Sequence, residues 1–204
     1  MKENSPSSRD IVLRLEGVSK VYSGTVAVKH ADFEVRRGAV NVLVGENGAG
    51  KSTLVKMIAG VERPTAGRIL LDGAPVHFRS TGDAIAHGIG MVFQELNLFG
   101  NLSVAENIFA NREIVRHGRI DHAEQERQAG ELMQRLQAAV DPRVKVEDLM
   151  IGQQQLVEIA KAVARNARIL IMDEPTSALS APEVEVLFRV IADLKSKGVA
   201  IVYI

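Results

Sequence analysis

The densest chemistry in the chain lies in nine consecutive residues, Gly45-Glu46-Asn47-Gly48-Ala49-Gly50-Lys51-Ser52-Thr53. They fit G-x-x-x-x-G-K-[ST], a phosphate-binding loop, and they stand where that motif requires, between an apolar run at 40–44 and a helical pattern at 51–59. Gly45, Gly48 and Gly50 permit backbone conformations that other residues resist, so successive amides can turn inward around a polyphosphate. Lys51 opens the helix, where the N-terminus already favours anions, and the Ser52 hydroxyl is short enough to ligate Mg²⁺ held by the phosphates. All nine residues, Thr53 included, are therefore expected to contact a nucleoside triphosphate.

A phosphate cradle binds; hydrolysis also needs a cation in register and a group that orients water. Asp173 and Glu174 supply both. They follow the apolar run Ile169-Leu170-Ile171-Met172, which is read as a buried strand, and in open parallel sheets ligands bind at the carboxyl ends of strands. Alternation along the strand points the two carboxylates differently. Asp173 is accordingly expected to face Mg²⁺ and Glu174 to polarise the attacking water.

Placing these groups requires a sheet with helices around it. Val12, Leu13 and Leu15 start a first strand, Phe33 and Val35 mark a second, and the run 40–44 is read as a buried strand leading into the loop. The segment 63–67 reads as a turn, and Asp72-Gly73 after Ile69–Leu71 is a hairpin signal. From Ser103 the pattern turns helical, with Ser103 capping 104–110 and Asp121 capping a charged helix that runs to about Ala139. Residues about 95–165 thus form a helical subdomain. Pro182 starts a further helix, Gly198 stops it, and Val199–Ile204 closes as a buried strand. Met1–Asp10 is polar and is read as a disordered leader, leaving 11–204 as the domain.

Composition narrows the partners. Of 204 residues 46% are hydrophobic, and Lys plus Arg equals Asp plus Glu at 25 each, so no global basic field argues for nucleic acid or for direct binding to an anionic membrane. No apolar run approaches the roughly 20 residues of a spanning helix. Cysteine is absent, which removes disulfides and thiolate chemistry, and His30, His77, His87, His117 and His122 show no metal-ligand spacing.

Taken together, the phosphate loop, Gln94 in Phe93-Gln94-Glu95-Leu96-Asn97-Leu98, the stretch 101–108, the stretch 149–162 and the run Ile169–Leu179 resemble the nucleotide-binding domain of ABC transporters. Within that family the set is similar to the ATPase subunits of bacterial sugar and polyol importers of the ribose/galactose type, and the likeness spans Ile11–Ile204. It implies an α/β fold of the P-loop NTPase (RecA-like) class, with a mixed sheet core, an N-terminal antiparallel β subdomain and an inserted α-helical subdomain. A guanine-reading N-K-x-D is missing, so ATP is expected over GTP.

The resemblance further implies that two such domains sandwich ATP. Each phosphate loop would face the other domain's signature segment, here Leu149-Met150-Ile151-Gly152-Gln153, with Gly152 and Gln153 as contacts. A helix start at this segment would offer amides and a helix dipole to a γ-phosphate. By the same resemblance Gln94 reaches Mg²⁺ and the attacking water, Tyr22 stacks on adenine, and the segment after Gln94 meets the permease. Implied partners are a second nucleotide-binding domain, membrane permease subunits and, indirectly, a periplasmic solute-binding protein, at the cytoplasmic face of the bacterial inner membrane. Two readings compete with energy coupling: a non-transport ABC ATPase and a fragment that binds nucleotide with little hydrolysis.

Two departures matter. Met150 stands where the signature usually has serine, removing a hydroxyl donor to a charged group that is worth about 1.5–3 kcal/mol; Ile151 replaces the first signature glycine, as sugar importers often do. The chain also stops before the Ser-His pair expected after Ile204, which reads as an incomplete first half of a longer polypeptide. On that reading it retains ATP binding, hydrolyses poorly and exposes apolar surface.

Overall fold

The computed structural model describes residues 10–93, 96–177 and 179–204, and these divide into two compact units. One holds the chain up to Met91, together with Arg168–Asp173 and Leu194–Ile204; the other holds Val92–Ala167 and Glu174–Asp193. Gln94 and the leader up to Arg9 lie outside the described residues.

In the first unit β1 (Ile11–Tyr22) and β2 (Thr25–Arg36) form a long antiparallel hairpin, and β4 (Ala66–Leu71) pairs with β1 on its other side and with β5 (Ala74–Val76). Two-residue turns set the register. Ser23 and Gly24 have φ of 41° and 91°, and Asp72 and Gly73 have φ of 49° and 81°, the left-handed pairs that tight hairpins need. A second sheet has the order β3-β10-β9-β6, from β3 (Val40–Val42), β10 (Ala200–Tyr203), β9 (Ile169–Met172) and β6 (Ile89–Val92); β10 runs parallel to both β3 and β9. All four residues of β9 are fully buried, as parallel strands covered on both faces require. The core joins Val12, Leu13, Leu15, Val18 and Val35 of the hairpin to Leu54, Val55, Met57 and Ile58 of α1 (Lys51–Ile58) and to Ile169, Ile171, Ala200 and Val202.

The run 40–44 corrects the sequence reading. It is not buried: Val40, Val42 and Val44 are 39%, 57% and 85% exposed, because β3 is the edge of its sheet. Apolar character marked a strand but could not say how many neighbours it has. Residues 66 and 67, read as a turn, belong to β4 instead.

In the second unit α3 (Val104–Phe109), α4 (His122–Arg135) and α5 (Ile151–Ala164) pack together through Val104, Ile108, Ala129, Leu132, Met133, Val157, Ile159 and Ala160, all buried. Ser103 caps α3 in a full capping box with Glu106, whose carboxyl is held below its usual range by those Ser103 hydrogen bonds. Helix α4 ends four residues before Ala139, since Gln137 turns to φ 55°. Buried Asn107 organises the preceding loop: its Oδ1 accepts from the Phe99 amide at 2.7 Å, and its Nδ2 donates to the carbonyls of Phe99, Leu102 and Ser103. The same unit contains α6 (Ala181–Ser196) as far as Asp193, with Pro182 in its first turn as expected. The first unit also includes the short α2 (Thr81–Ala86), and a small hairpin of β7 (Val115–Arg116) and β8 (Arg119–Ile120) lies in the second.

Candidate functional site

The phosphate loop leaves β3 and enters α1 through Gly48 and Gly50, both at φ 86°. At Gly50 a side chain is excluded twice over. Its φ is left-handed, and a Cβ there would lie 2.6 Å from the Ala27 carbonyl of β2 and 3.0 Å from a Val28 methyl. Gly48 has open space instead, so its requirement is conformational alone. Lys51 Nζ donates to the carbonyls of Gly45 and Glu46 at 2.7 and 2.9 Å, curling the loop about its own ammonium. Glu46, Asn47, Ala49 and Ser52 are exposed, while Thr53 is half-buried at the first turn of α1.

Strand register places Asp173 relative to this loop. Tyr203 pairs with Val42 on one side and with Met172 on the other, so the carboxyl ends of β3, β10 and β9 are level. The loop therefore departs two strand spacings, about 10 Å, from the half-buried Asp173. That span suits a polyphosphate and its cation. The donor set also fits Mg²⁺: the Ser52 hydroxyl and the Asp173 carboxylate are hard oxygen donors, and a cation here would complete its shell with phosphate oxygens and water.

Glu174 is exposed and sits at φ 46°, an uncommon conformation for a residue with a side chain. Its carbonyl accepts from the Ser177 amide, turning the chain sharply after β9. Tyr22 ends β1 with its ring 38% exposed and Lys20 Nζ 4.9 Å from its centroid; Lys20 also pairs with Glu62 at 2.6 Å. The signature segment opens α5. Half-buried Gln153 turns back on its own helix start, its Oε1 accepting from the Met150 amide at 3.1 Å, and Gly152 is buried.

Sequence reasoning passed over Glu158. This carboxylate of α5 is 5% exposed, hydrogen-bonds to the backbone of Asn97, and has one oxygen without a hydrogen-bond partner among the described residues. Lys161 Nζ holds the Asn97 carbonyl at 2.8 Å. Burial pushes the Glu158 carboxyl up, against the opposing pull of Lys161. A raised folded-state value means that ionisation opposes folding, so its stabilising effect is full below the unfolded value near 4.5 and is lost as pH rises through the folded one. Glu158→Gln is therefore expected to raise thermal stability at neutral pH by about 1 kcal/mol, with the difference shrinking as pH falls towards the unfolded value. Melting curves of both proteins across pH 4–8 check this.

A phosphate loop entering a helix from one parallel strand, with a carboxylate at the end of another, defines a nucleotide-binding α/β domain of the P-loop class. The ABC transporter family matches residues 28–177, and the chain belongs to that family. It is 54% identical over 198 residues to the ribose import ATP-binding protein of Rhodopirellula baltica, covering 97% of this chain and 39% of that one. A ribose import ATP-binding protein of Streptomyces avermitilis is 50% identical, with 97% and 38% covered. The chain thus spans under two fifths of the length of the curated relatives it matches. Among solved structures, cbiO1 from Clostridium perfringens, part of the ABC transporter complex cbiONQ, superposes with a TM-score of 0.79 at 28% identity, covering 95% of this chain and 77% of that one. A dimeric ATP-binding cassette in a post-hydrolysis state with ADP and Pi gives 0.78 at 26% identity, covering 94% and 86%.

Proposed function

We infer that this chain binds ATP with Mg²⁺ on Gly45–Thr53 and, paired with a second nucleotide-binding domain, hydrolyses it to drive import of a sugar or polyol. The observation that carries the reading is the level ending of β3 and β9, which puts the loop and Asp173 on one side of the sheet. High identity to ribose import ATP-binding proteins supports the solute class.

In this mechanism the loop amides and Lys51 bind the β- and γ-phosphates, and Lys51 exchanges its two carbonyl partners for phosphate oxygens. Ser52 and Asp173 would hold the cation, which when bound neutralises charge on the phosphates. Glu174 orients the attacking water, Gln94 assists it, and Tyr22 offers its ring to adenine, where stacking is worth about 1–3 kcal/mol. Gly152 and its neighbours present helix-terminal amides to the γ-phosphate of the facing site.

No helix among the described residues is long and apolar enough to cross a membrane. In this reading coupling to transport runs through permease subunits at the cytoplasmic face of the inner membrane, as the likeness to import ATP-binding proteins supports. The loop 97–103 suits that contact. It is fastened by Asn107 and Lys161, and it presents Phe99 53% exposed, a rigid aromatic of the kind that anchors interfaces. A solute-binding protein would deliver the solute on the other side, and no nucleic acid is involved.

Lys51→Ala tests the nucleotide site. Loss of a charge-assisted contact to phosphate is expected to weaken ATP binding at least about tenfold, measured calorimetrically with thermal stability unchanged. ATP affinity equal to that of the parent would remove the basis of the reading.

A further inference from the structure

Glu183 serves two helices at once. At the start of α6 it reaches back to Ser180, its Oε2 accepting from the Ser180 amide at 2.8 Å and from the Ser180 hydroxyl at 2.7 Å. The same carboxylate is seated against Gly152, in the first turn of α5, with Oε1 where a Cβ of that residue would stand, close enough for the Gly152 amide to lower its pKa. Both helices lie in the second unit, so this contact is internal to it.

The fit at Gly152 is close. Gly152 does not require a left-handed conformation, since its φ is not positive. A Cβ at this position would overlap Oε1, Cδ and Cγ of Glu183, so the carboxylate end of that side chain lies directly against Gly152. Glu183 itself is half-buried, and the Ser180 hydrogen bonds and the Gly152 amide hold its carboxyl below the usual range, so it is ionised at neutral pH. A full negative charge therefore rests on an amide of the α5 N-terminus, on the residue to which the proposed function assigns the γ-phosphate of a facing domain.

Two anions cannot both accept the one Gly152 proton at full strength, and at hydrogen-bonding distance they repel. We propose that Glu183 is a positioning residue that holds the Gly152 amide until a γ-phosphate from a facing domain replaces it, the carboxylate then retaining only Ser180. Because Ser180 ends the segment that begins at Glu174, the exchange ties occupancy of the signature to the loop carrying the hydrolytic carboxylate. Arrival of the phosphate frees Glu183 Oε1, and the helix start that Ser180 caps is released from α5. The inference rests on the ATP-sandwich reading above and adds the group that regulates it.

The test is ATP-driven pairing of the 204-residue chain, followed by sedimentation in a Glu174→Gln background so that ATP persists. Glu183→Gln removes the charge and keeps an acceptor for Ser180. It is expected to lower the ATP concentration for half-maximal pairing by roughly five- to tenfold, the difference between a charge-assisted and a neutral hydrogen bond, with nucleotide affinity at the chain's own loop unchanged. Glu183→Asp keeps the charge but shortens the reach to Gly152, and it is expected to shift pairing in the same direction. A merely structural carboxylate predicts the opposite, with both variants melting earlier and pairing less. If the parent pairs with ATP and both variants need as much ATP or more, the Glu183 inference is wrong and the sandwich reading stands. If the parent does not pair at any ATP concentration, the sandwich reading fails and takes this inference with it.

Discussion

Replacing Glu174 with glutamine is expected to lower the turnover number for ATP by about 10²- to 10⁴-fold while leaving ATP affinity within about twofold. The substitution preserves shape and hydrogen-bonding reach but removes the lone pair and charge that draw a proton from water. Position supports the size of the effect. Glu174 is the second residue after the fully buried β9, exposed, with its backbone at φ 46°. A residue with a side chain in that region costs of order 1–3 kcal/mol, which persists only where surrounding structure enforces it. Here the enforcing elements are the buried Pro175 that follows and the Ser177 amide bonded to the Glu174 carbonyl. Steady-state hydrolysis and calorimetric ATP binding, run side by side, separate the two parameters. A parent chain with no turnover to lose would favour the reading in which it only binds nucleotide.

The largest effect on stability is expected far from the phosphate loop, at Gly67. Alanine there should cost about 2–5 kcal/mol, the sum of a left-handed backbone and a Cβ forced against main chain. Gly67 has φ 82°, and a Cβ would lie 2.5 Å from the Gly17 carbonyl oxygen and 2.6 Å from that of Glu16. Neither neighbour is a flexible side chain that could swing away. Gly17 itself has φ 57° and donates its amide to Asp32 at 2.7 Å, and the register of β1 with β4 shifts between Glu16 and Ser19. The irregularity in β1 is thus accommodated by the missing side chain in β4. Gly73→Ala is the control. Its φ is 81° but nothing lies within 4 Å of the added atom, so only the conformational part, about 1 kcal/mol, should appear. Urea denaturation with an unchanged slope would show the two midpoints falling by different amounts.

Much of the fold was legible because its signals are local. The Asp72-Gly73 turn, the Ser103 cap, the Pro182 helix start and the buried runs of β9 and β10 depend on residues a few positions apart, and each formed where the pattern put it. The misreadings share a cause. Residues 40–44 have the composition of a buried strand, yet exposure follows from place in the strand order, and β3 has one partner among the described residues. Gly67 follows Pro64-Thr65-Ala66 and looks like a turn glycine, whereas its reason is a backbone fifty residues earlier in the chain. Glu158 and Asn107 read as ordinary polar positions on amphipathic helices. Their burial against the 97–103 loop appears only when that loop folds back onto α3 and α5.

The candidate phosphate loop and the candidate carboxylates after β9 were legible in sequence alone, because each is a short run of residue types that nucleotide chemistry demands. Spacing was enough to nominate Gly48, Gly50, Lys51 and Ser52, and Asp173 and Glu174 at the end of an apolar run, as candidates for that chemistry. Only tertiary structure decided that β3 and β9 end level, that Gln153 turns back to cap its own helix, and that Glu183 reaches Gly152 across thirty-one positions of chain. A contact between two helix starts depends on how those helices pack. Packing is the sum of many apolar contacts, none of which is written in the residues it brings together.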